Sequence, residues 1–462
     1  MKKIYLISAI VAGFLFYSCS DYLDRTPSTS LSSDGTIISV EDVMYTVNGV
    51  SYLFTEDRFL YPSEYGIYAD LLTDNFKVID DYGQSSPIAR YTITKYDEFP
   101  EDAFYYFYKG CADANKALEE SESIEEEGIE NARGMLYAWR ALCHFELARI
   151  FCHIPAAGAD MNAANSGMII SDQVFAPDYR GKRSTLQELY NQVISDFTTA
   201  YQMLDAENDL GYFTKYSALA LRARAYLYMG KYQEALADAK EVIAKSGATL
   251  YTISDYTKVW GAEGTSESLF ELLQNSTYNP QRYAIPYYTS PDGYPEMAIN
   301  EDGPLYAYIQ ANPQDVRTKM IAEMAASNGK NKAIWPTKVP GRDGSLYINN
   351  PKIIRLSEVY LIAAEASFYL KNGEAAGYMN EIRKNRIEGY KDVTDVTIDD
   401  ILTEYMIEMF EENQIAFAFW RNKKTVTNQV GQEIAWDNDR AVFPIPQREI
   451  DLNADLIQNK GY

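Results

Sequence analysis

From Val40 onward, apolar residues recur at helical spacing over most of the chain. An apolar stripe at i, i+3, i+4 and i+7 marks an amphipathic helix; alternation or loss of period marks strands and loops. The clearest run is Tyr216 to Ser246, where Ala223 and Tyr226 stand on one face, Gly230 marks a turn, and Ala235 and Ala239 open a second helix. Two long stretches, 60–100 and 250–352, break the pattern. They are rich in Tyr, Pro, Gly, Asn and Asp, with short alternating pieces such as Arg90 to Thr94 but no sustained helix period. Loops this long in a compact chain are usually functional.

Small residues at the crossing points let two helices approach closely, so Tyr216 to Ser246 is similar to a tetratricopeptide (TPR) helix pair. A second copy runs from Arg355 to Arg386, with Ala363, Ala364 and Ala366 in its first helix and Asn372-Gly373 at its turn. A third, more divergent, pairs Ala103–Ala117 with Ala132–Phe151, and Leu186–Leu204 reads as the partner leading into the clearest copy. No such pair buries its apolar face alone, so the copies are expected to stack into one right-handed helical layer.

The N-terminus reads differently. Lys2 and Lys3 precede an apolar run from Ile4 to Tyr17, and Ser18 leads into Cys19. A membrane-spanning helix needs about 20 apolar residues, so this run is a short secretory signal. A small residue before a cysteine is where a lipoprotein signal peptidase cuts, which would leave Cys19 as a lipid-bearing N-terminus. Several acyl chains there would anchor the chain stably. Residues 20–36, rich in Ser, Thr, Asp and Pro, read as an extended tether. The alternative is ordinary secretion; under either reading the mature chain leaves the cytoplasm.

The formal charge is −24, and removing Lys2 and Lys3 with the signal takes it to −26. Such a surface repels phosphate backbones and argues against nucleic-acid binding. Cys111, Cys143 and Cys152 read as small buried side chains, with one bridge open to them in an oxidising compartment. Tyrosine is the compositional outlier, with 39 Tyr against 19 Phe and 5 Trp. Its flat apolar face and hydroxyl suit sugar rings and peptides, yet many of these tyrosines fall at helical spacing and belong in the core.

Several strings together resemble the SusD/RagB family of Bacteroidota outer-membrane lipoproteins. They are Cys19-Ser20-Asp21-Tyr22-Leu23-Asp24; Ala132-Arg133-Gly134 through Trp139-Arg140-Ala141 to Ile154-Pro155; Arg355-Leu356-Ser357-Glu358 with Ala364-Glu365-Ala366 and Asn380-Glu381-Ile382-Arg383; and Phe443-Pro444-Ile445-Pro446-Gln447 through Gly461-Tyr462. The resemblance implies a mainly α fold, in which four TPR-like helix pairs form a scaffold packed against an irregular, loop-rich half. It divides the chain into a signal (1–18), an N-terminal region with helix pairs (19–250) and a C-terminal region with Tyr/Pro-rich loops and the last pair (251–462). It further implies a lipid-anchored cell-surface protein of the outer membrane. Such a protein binds oligosaccharide or polysaccharide and delivers it to a SusC-like TonB-dependent transporter, without being an enzyme. A peptide-binding, RagB-like protein and an interaction scaffold are the alternatives.

One departure carries its own expectation. Where the family has an Arg and an Asp within Glu412–Arg421, this chain has Ile415 and Ala418. Stranding one member of a buried ion pair costs about 3–5 kcal/mol, whereas replacing both by apolar groups is often neutral. Ile415 and Ala418 should therefore be buried.

Catalytic patterns are missing from the sequence. His144 and His153 are the two histidines, and His144 sits in an apolar helix as a packing residue. No His-Glu-x-x-His, Cys-x-x-Cys, calcium loop, Gly-x-Ser-x-Gly or P-loop occurs, so no catalytic residue, metal or cofactor is assigned. Glycoside hydrolysis needs only two carboxylates, and 66 acidic residues always supply some pair; the helical-repeat background argues against it.

Sugar recognition combines aromatic faces with planar polar groups. Two loops carry both. One holds Tyr82, Arg90 and Tyr96; the other, Asn275 to Glu296, holds Tyr278, Arg282, Tyr283, Tyr287, Tyr288 and Tyr294, stiffened by Pro280, Pro286, Pro291 and Pro295. Trp335 beside Pro336, and Trp260 beside Gly261, are further candidates for exposed aromatics.

Overall fold

Thr185, Thr214 and Thr397 each open a helix with a capping box: the hydroxyl accepts the N3 backbone N–H while the N3 side chain of Glu188, Ser217 or Asp400 reaches back. The computed structural model describes residues 37–56, 59–326 and 332–462; Cys19 and the stretches read above as signal and tether lie outside them. The longer helices are α1 (Val40–Glu56), α2 (Glu98–Glu120), α3 (Ile129–Phe151), α4 (Leu186–Met203), α5 (Lys215–Tyr228), α6 (Tyr232–Lys245), α7 (Leu356–Leu370), α8 (Ala375–Lys384), α9 (Ile398–Glu408) and α10 (Ile415–Arg421). From α2 to α8 each helix packs on the next, and α6 meets α7 although residues 246–355 lie between them. This is the TPR-like layer expected from the repeats.

Charge, as well as small residues, fixes the layer. Arg140 of α3 grips Asp196 of α4 at 2.6–2.8 Å, and Arg224 of α5 grips Glu358 of α7 through two bonds of 2.6 Å. Both pairs are buried and bidentate, the strong geometry for guanidinium and carboxylate. A larger cluster ties the layer to the loop-rich half. Glu408 at the end of α9 accepts from Arg317 at 3.0 Å, Arg355 at 2.7 Å and Arg386 at 2.9 Å, all of them fully buried. Those three guanidinium groups hold its carboxyl well below the usual range against the opposing pull of burial.

Ile415 and Ala418 are buried, as expected, and the neighbouring Arg421 pairs with buried Glu365 at 2.6–2.7 Å. Cys111, Cys143 and Cys152 are buried and unbridged. His144 is a packing residue whose Nε2 accepts from the Ser171 N–H at 2.9 Å.

Two details differ from the sequence reading. Residues 304–311 form a helix, Pro304–Ala311, inside the stretch read as aperiodic; eight residues are too few for the period to stand out. Arg90 to Thr94 is not a strand, because Tyr91 adopts φ +55° and turns its hydroxyl onto the Leu72 carbonyl at 2.8 Å. Among the described residues the strands make four two-stranded antiparallel ribbons: β1 (Phe76–Val78) with β3 (Met297–Ile299), β2 (Ser268–Glu271) with β6 (Lys352–Arg355), β4 (Ile321–Ala325) with β5 (Lys332–Pro336), and β7 (Val426–Thr427) with β8 (Glu433–Ile434). Among the described residues no helix is long and apolar enough to cross a membrane.

Candidate functional site

The β1–β3 ribbon brings the two tyrosine-bearing loops together. Val78 is opposite Met297, and the Ile79 N–H continues the ladder to the Glu296 carbonyl at 2.7 Å. The chain leaving β1 and the chain entering β3 therefore emerge side by side. Glu296 then locks them: its buried carboxylate accepts the Ser85 and Ser86 N–H groups at 3.2 Å each. Burial pushes its carboxyl up to about 7.

On this base Tyr82 leans on Tyr294 with ring centroids 5.3 Å apart. Tyr294 meets Tyr287 edge to face at 5.0 Å, and Tyr287 meets Tyr347 at 5.3 Å. The second loop is closed on itself. Tyr294 N–H donates to the Tyr287 carbonyl at 2.6 Å and Glu296 N–H to that of Tyr288 at 3.1 Å. Gly293 is required, since a Cβ there would fall 1.8 Å from the Tyr287 carbonyl oxygen. Asp81 accepts from the Ser86 hydroxyl and from Arg90, each at 2.6 Å, and these two bonds, the hydroxyl first, hold its carboxyl below the usual range. Burial, then the neighbouring Tyr347, raise the Tyr287 phenol, while the Arg282 charge acts the other way.

The result is a platform of four tyrosines flanked by the Asp81–Arg90 pair and Arg282. Ring faces fit the C–H surfaces of pyranoses, and fixed planar polar groups fit paired hydroxyls. Asp81 and Glu296 are two carboxylates with opposed shifts, the pattern of an acid–base pair. Glu296, however, is fully buried with its oxygens turned to backbone N–H groups, so it holds the loops rather than facing a ligand.

The other named residues divide. Tyr288 is buried, because the helical turn Ile285–Tyr288 directs it inward beside Ile285 while Tyr287 stays half-exposed. Trp335 is also buried, against expectation: its indole N–H donates to the Met324 carbonyl at 3.0 Å, and its ring packs with Ala298, Ala326 and Ala333. Trp260 is buried as well, with the Lys338 ammonium 4.5 Å from its ring. Tyr283 is half-buried in the turn Gln281–Tyr283, next to exposed Arg282. Tyr96 is three-quarters exposed beside Lys95, on a segment that hydrogen-bonds Gln447. Tyr278 belongs to a different groove, against Tyr52. Tyr347 was not singled out from sequence. Its signal was the turn Gly341-Arg342-Asp343-Gly344 just before it, where Arg342 and Ser345 exchange backbone bonds at 2.9–3.0 Å.

Two family models cover nearly the whole chain. One, described as "Starch-binding associating with outer membrane", matches residues 21–227; the other, "SusD family", matches 246–462. A SusD-like protein of Formosa agariphila is 24% identical over the full length of both chains. The starch-binding protein SusD of Bacteroides thetaiotaomicron is 30% identical over 24% of this chain and 21% of its own. Among solved structures, a SusD superfamily protein of Bacteroides thetaiotaomicron superposes with a TM-score of 0.83 at 28% identity, covering 91% of this chain and 100% of its own. One of Bacteroides vulgatus gives 0.83 at 27% identity, covering 92% and 100%. The helical layer, the loop-rich half and the matched models agree: the chain belongs to the SusD/RagB family, a carbohydrate-binding family associated with the outer membrane.

Proposed function

We propose that this protein is a cell-surface lipoprotein, anchored through Cys19, that holds oligosaccharide on the Tyr82–Tyr287–Tyr294–Tyr347 platform. It passes the bound sugar to a SusC-like TonB-dependent transporter without breaking a bond. The observation that carries the reading is the convergence of two separate loops, fixed by the β1–β3 ribbon and Glu296, into one exposed aromatic surface. Such preorganisation lowers the entropic cost of holding a ligand. The carbohydrate-binding family and the signal-like N-terminus support the ligand class and the location.

The test is a glycan array on the purified protein, followed by electrophoresis in gels containing the polysaccharides that score. Retardation without release of reducing ends is expected, together with loss of retardation in Tyr287→Ala/Tyr347→Ala. Accumulating reducing ends would establish a hydrolase. Binding to peptides alone would move the protein to the RagB-like branch, and co-purification with a barrel without any ligand would leave a scaffold. Cys19→Ala should shift the protein from the membrane fraction to the soluble one.

A further inference from the structure

A second exposed aromatic groove lies away from the platform. The C-terminal part of α1, the loop before α5 and the loop after β2 meet there around a volume of about 570 Å³. Tyr52 and Tyr278 meet edge to face at 5.1 Å, each 40% exposed or more. Across the groove the Tyr212 hydroxyl donates to Asn48 Oδ1 at 2.8 Å.

The walls are built and not merely adjacent. Asn275 Oδ1 accepts the Thr277 and Tyr278 N–H groups at 2.8 and 2.9 Å, which fixes the tip carrying Tyr278. Gln274 donates from Nε2 to the Thr55 carbonyl at 3.0 Å, joining that loop to α1. Gly211 (φ +88°) lies on Leu273 so closely that a Cβ would come within 2.8 Å of that side chain.

Among the described residues the lining contains no Asp, Glu, Lys or Arg. The chain as a whole is 23% charged and carries −24. A neutral strip of tyrosine faces and side-chain amides on such a surface offers a cationic peptide no carboxylate to pair with and a polyanion no cation. It offers an uncharged polyhydroxylated chain both ring stacking and hydrogen bonds.

We propose that the Tyr52–Tyr212–Tyr278 groove is a second binding site for an uncharged glycan chain, taking sugar units beyond those on the platform. The inference rests on the glycan-binding reading above. Tyr278 shares the Asn275–Glu296 loop with Tyr287 and Tyr294. Gln274 Oε1 also accepts from the Asn349 N–H at 2.9 Å, next but one to Tyr347. One framework therefore holds both surfaces. Two linked sites raise the apparent affinity for long chains only, because a short ligand reaches one site at a time.

The experiment compares wild type, Tyr52→Ala/Tyr278→Ala and Tyr287→Ala/Tyr347→Ala. Each is run in gels containing amylopectin, galactomannan, xylan or polygalacturonate, and titrated calorimetrically with oligosaccharides of the polymer that retards the wild type. The groove variant should lose about tenfold or more in affinity for the neutral polymer. It should keep the wild-type affinity for the shortest oligosaccharide bound and an unchanged melting temperature. If it does not fold, Tyr278→Ser alone replaces it. Wild-type retardation by the groove variant overturns the proposal while leaving the platform reading intact, and so does an equal loss for short and long ligands. Preference for polygalacturonate overturns the assignment to uncharged chains. A wild-type protein that none of the four polymers retards overturns this proposal; the array then decides the platform reading separately.

Discussion

Arg140, Arg224 and Arg421 are hidden inside the helical layer, whereas Tyr82, Tyr278 and Tyr294 stand exposed in the loop-rich half. The placement inverts ordinary preference, since arginine usually keeps to water and large rings to the core. In the layer, each buried guanidinium meets a carboxylate on a neighbouring helix through two short bonds. Those pairs specify which helix lies beside which and in what register, more than they add net stability. In the loops, the exposed rings are held by the backbone beneath them and have their faces left for something else. Even tyrosine obeys the contrast. Tyr61 and Tyr65, close to the layer, donate their hydroxyls to buried Glu146 of α3 and are core residues; the platform tyrosines mostly contact one another.

If the charge cluster is the clamp between the halves, removing its centre should have the largest effect. Glu408→Ala leaves Arg317, Arg355 and Arg386 short of a shared acceptor. A loss of 3–5 kcal/mol or more is expected, on the order measured for broken buried pairs. Urea denaturation, or failure to accumulate folded protein, checks it. A change under about 1 kcal/mol would remove the clamp from the argument.

Next comes the pair that survives beside a lost one. Arg421→Leu alone should cost roughly 3 kcal/mol by stranding Glu365, and Glu365→Leu/Arg421→Leu should cost clearly less than either single change. The chain already carries the apolar solution at Ile415 and Ala418, both buried. Additive losses in a double-mutant cycle would mean that the two side chains are not coupled and would remove the pair from the argument.

A third test uses pH. Behind the platform, burial pushes Glu411 up to about 8 and Asp70 up to about 7. Their folded values lie well above those of free Glu and Asp side chains, so the folded state keeps protons that the unfolded state releases. This contribution is full at low pH and is lost as pH rises through about 7 to 8. Glu412, held low by Arg355 and Lys338 against burial, has the opposite sign and loses its contribution only as pH falls below 4.5. Melting temperature should therefore decline from about pH 5 to 8 and level off once both groups are ionised in the folded state, and Glu411→Gln should flatten that decline. An equal slope in both proteins would place the titration elsewhere.

The smallest effects belong to the exposed rings. Tyr287→Ala should remove at most about 1.5 kcal/mol of stability, the worth of its ring contacts. Tyr96→Ala, outside both grooves, should change stability by under about 0.5 kcal/mol and leave glycan retardation untouched.

The sequence alone determined the helical layer, because a 3.6-residue period and small residues at crossings are local signals. It also determined that residues 80–96 and 275–296 were worth watching, since Tyr, Pro and Gly without a period leave few other readings. Only the tertiary structure decided which tyrosines meet. Tyr287 and Tyr288 are adjacent and chemically identical, yet one helical turn sends the first to the surface and the second inside. Trp335 looked exposed beside Pro336 until the ribbon with β4 covered it. Tyr52 sits on α1 and Tyr347 in a loop late in the chain, and neither carries a motif of its own. Burial and convergence depend on contacts between residues hundreds of positions apart, as Val78 with Met297 illustrates, and no local pattern encodes such a contact.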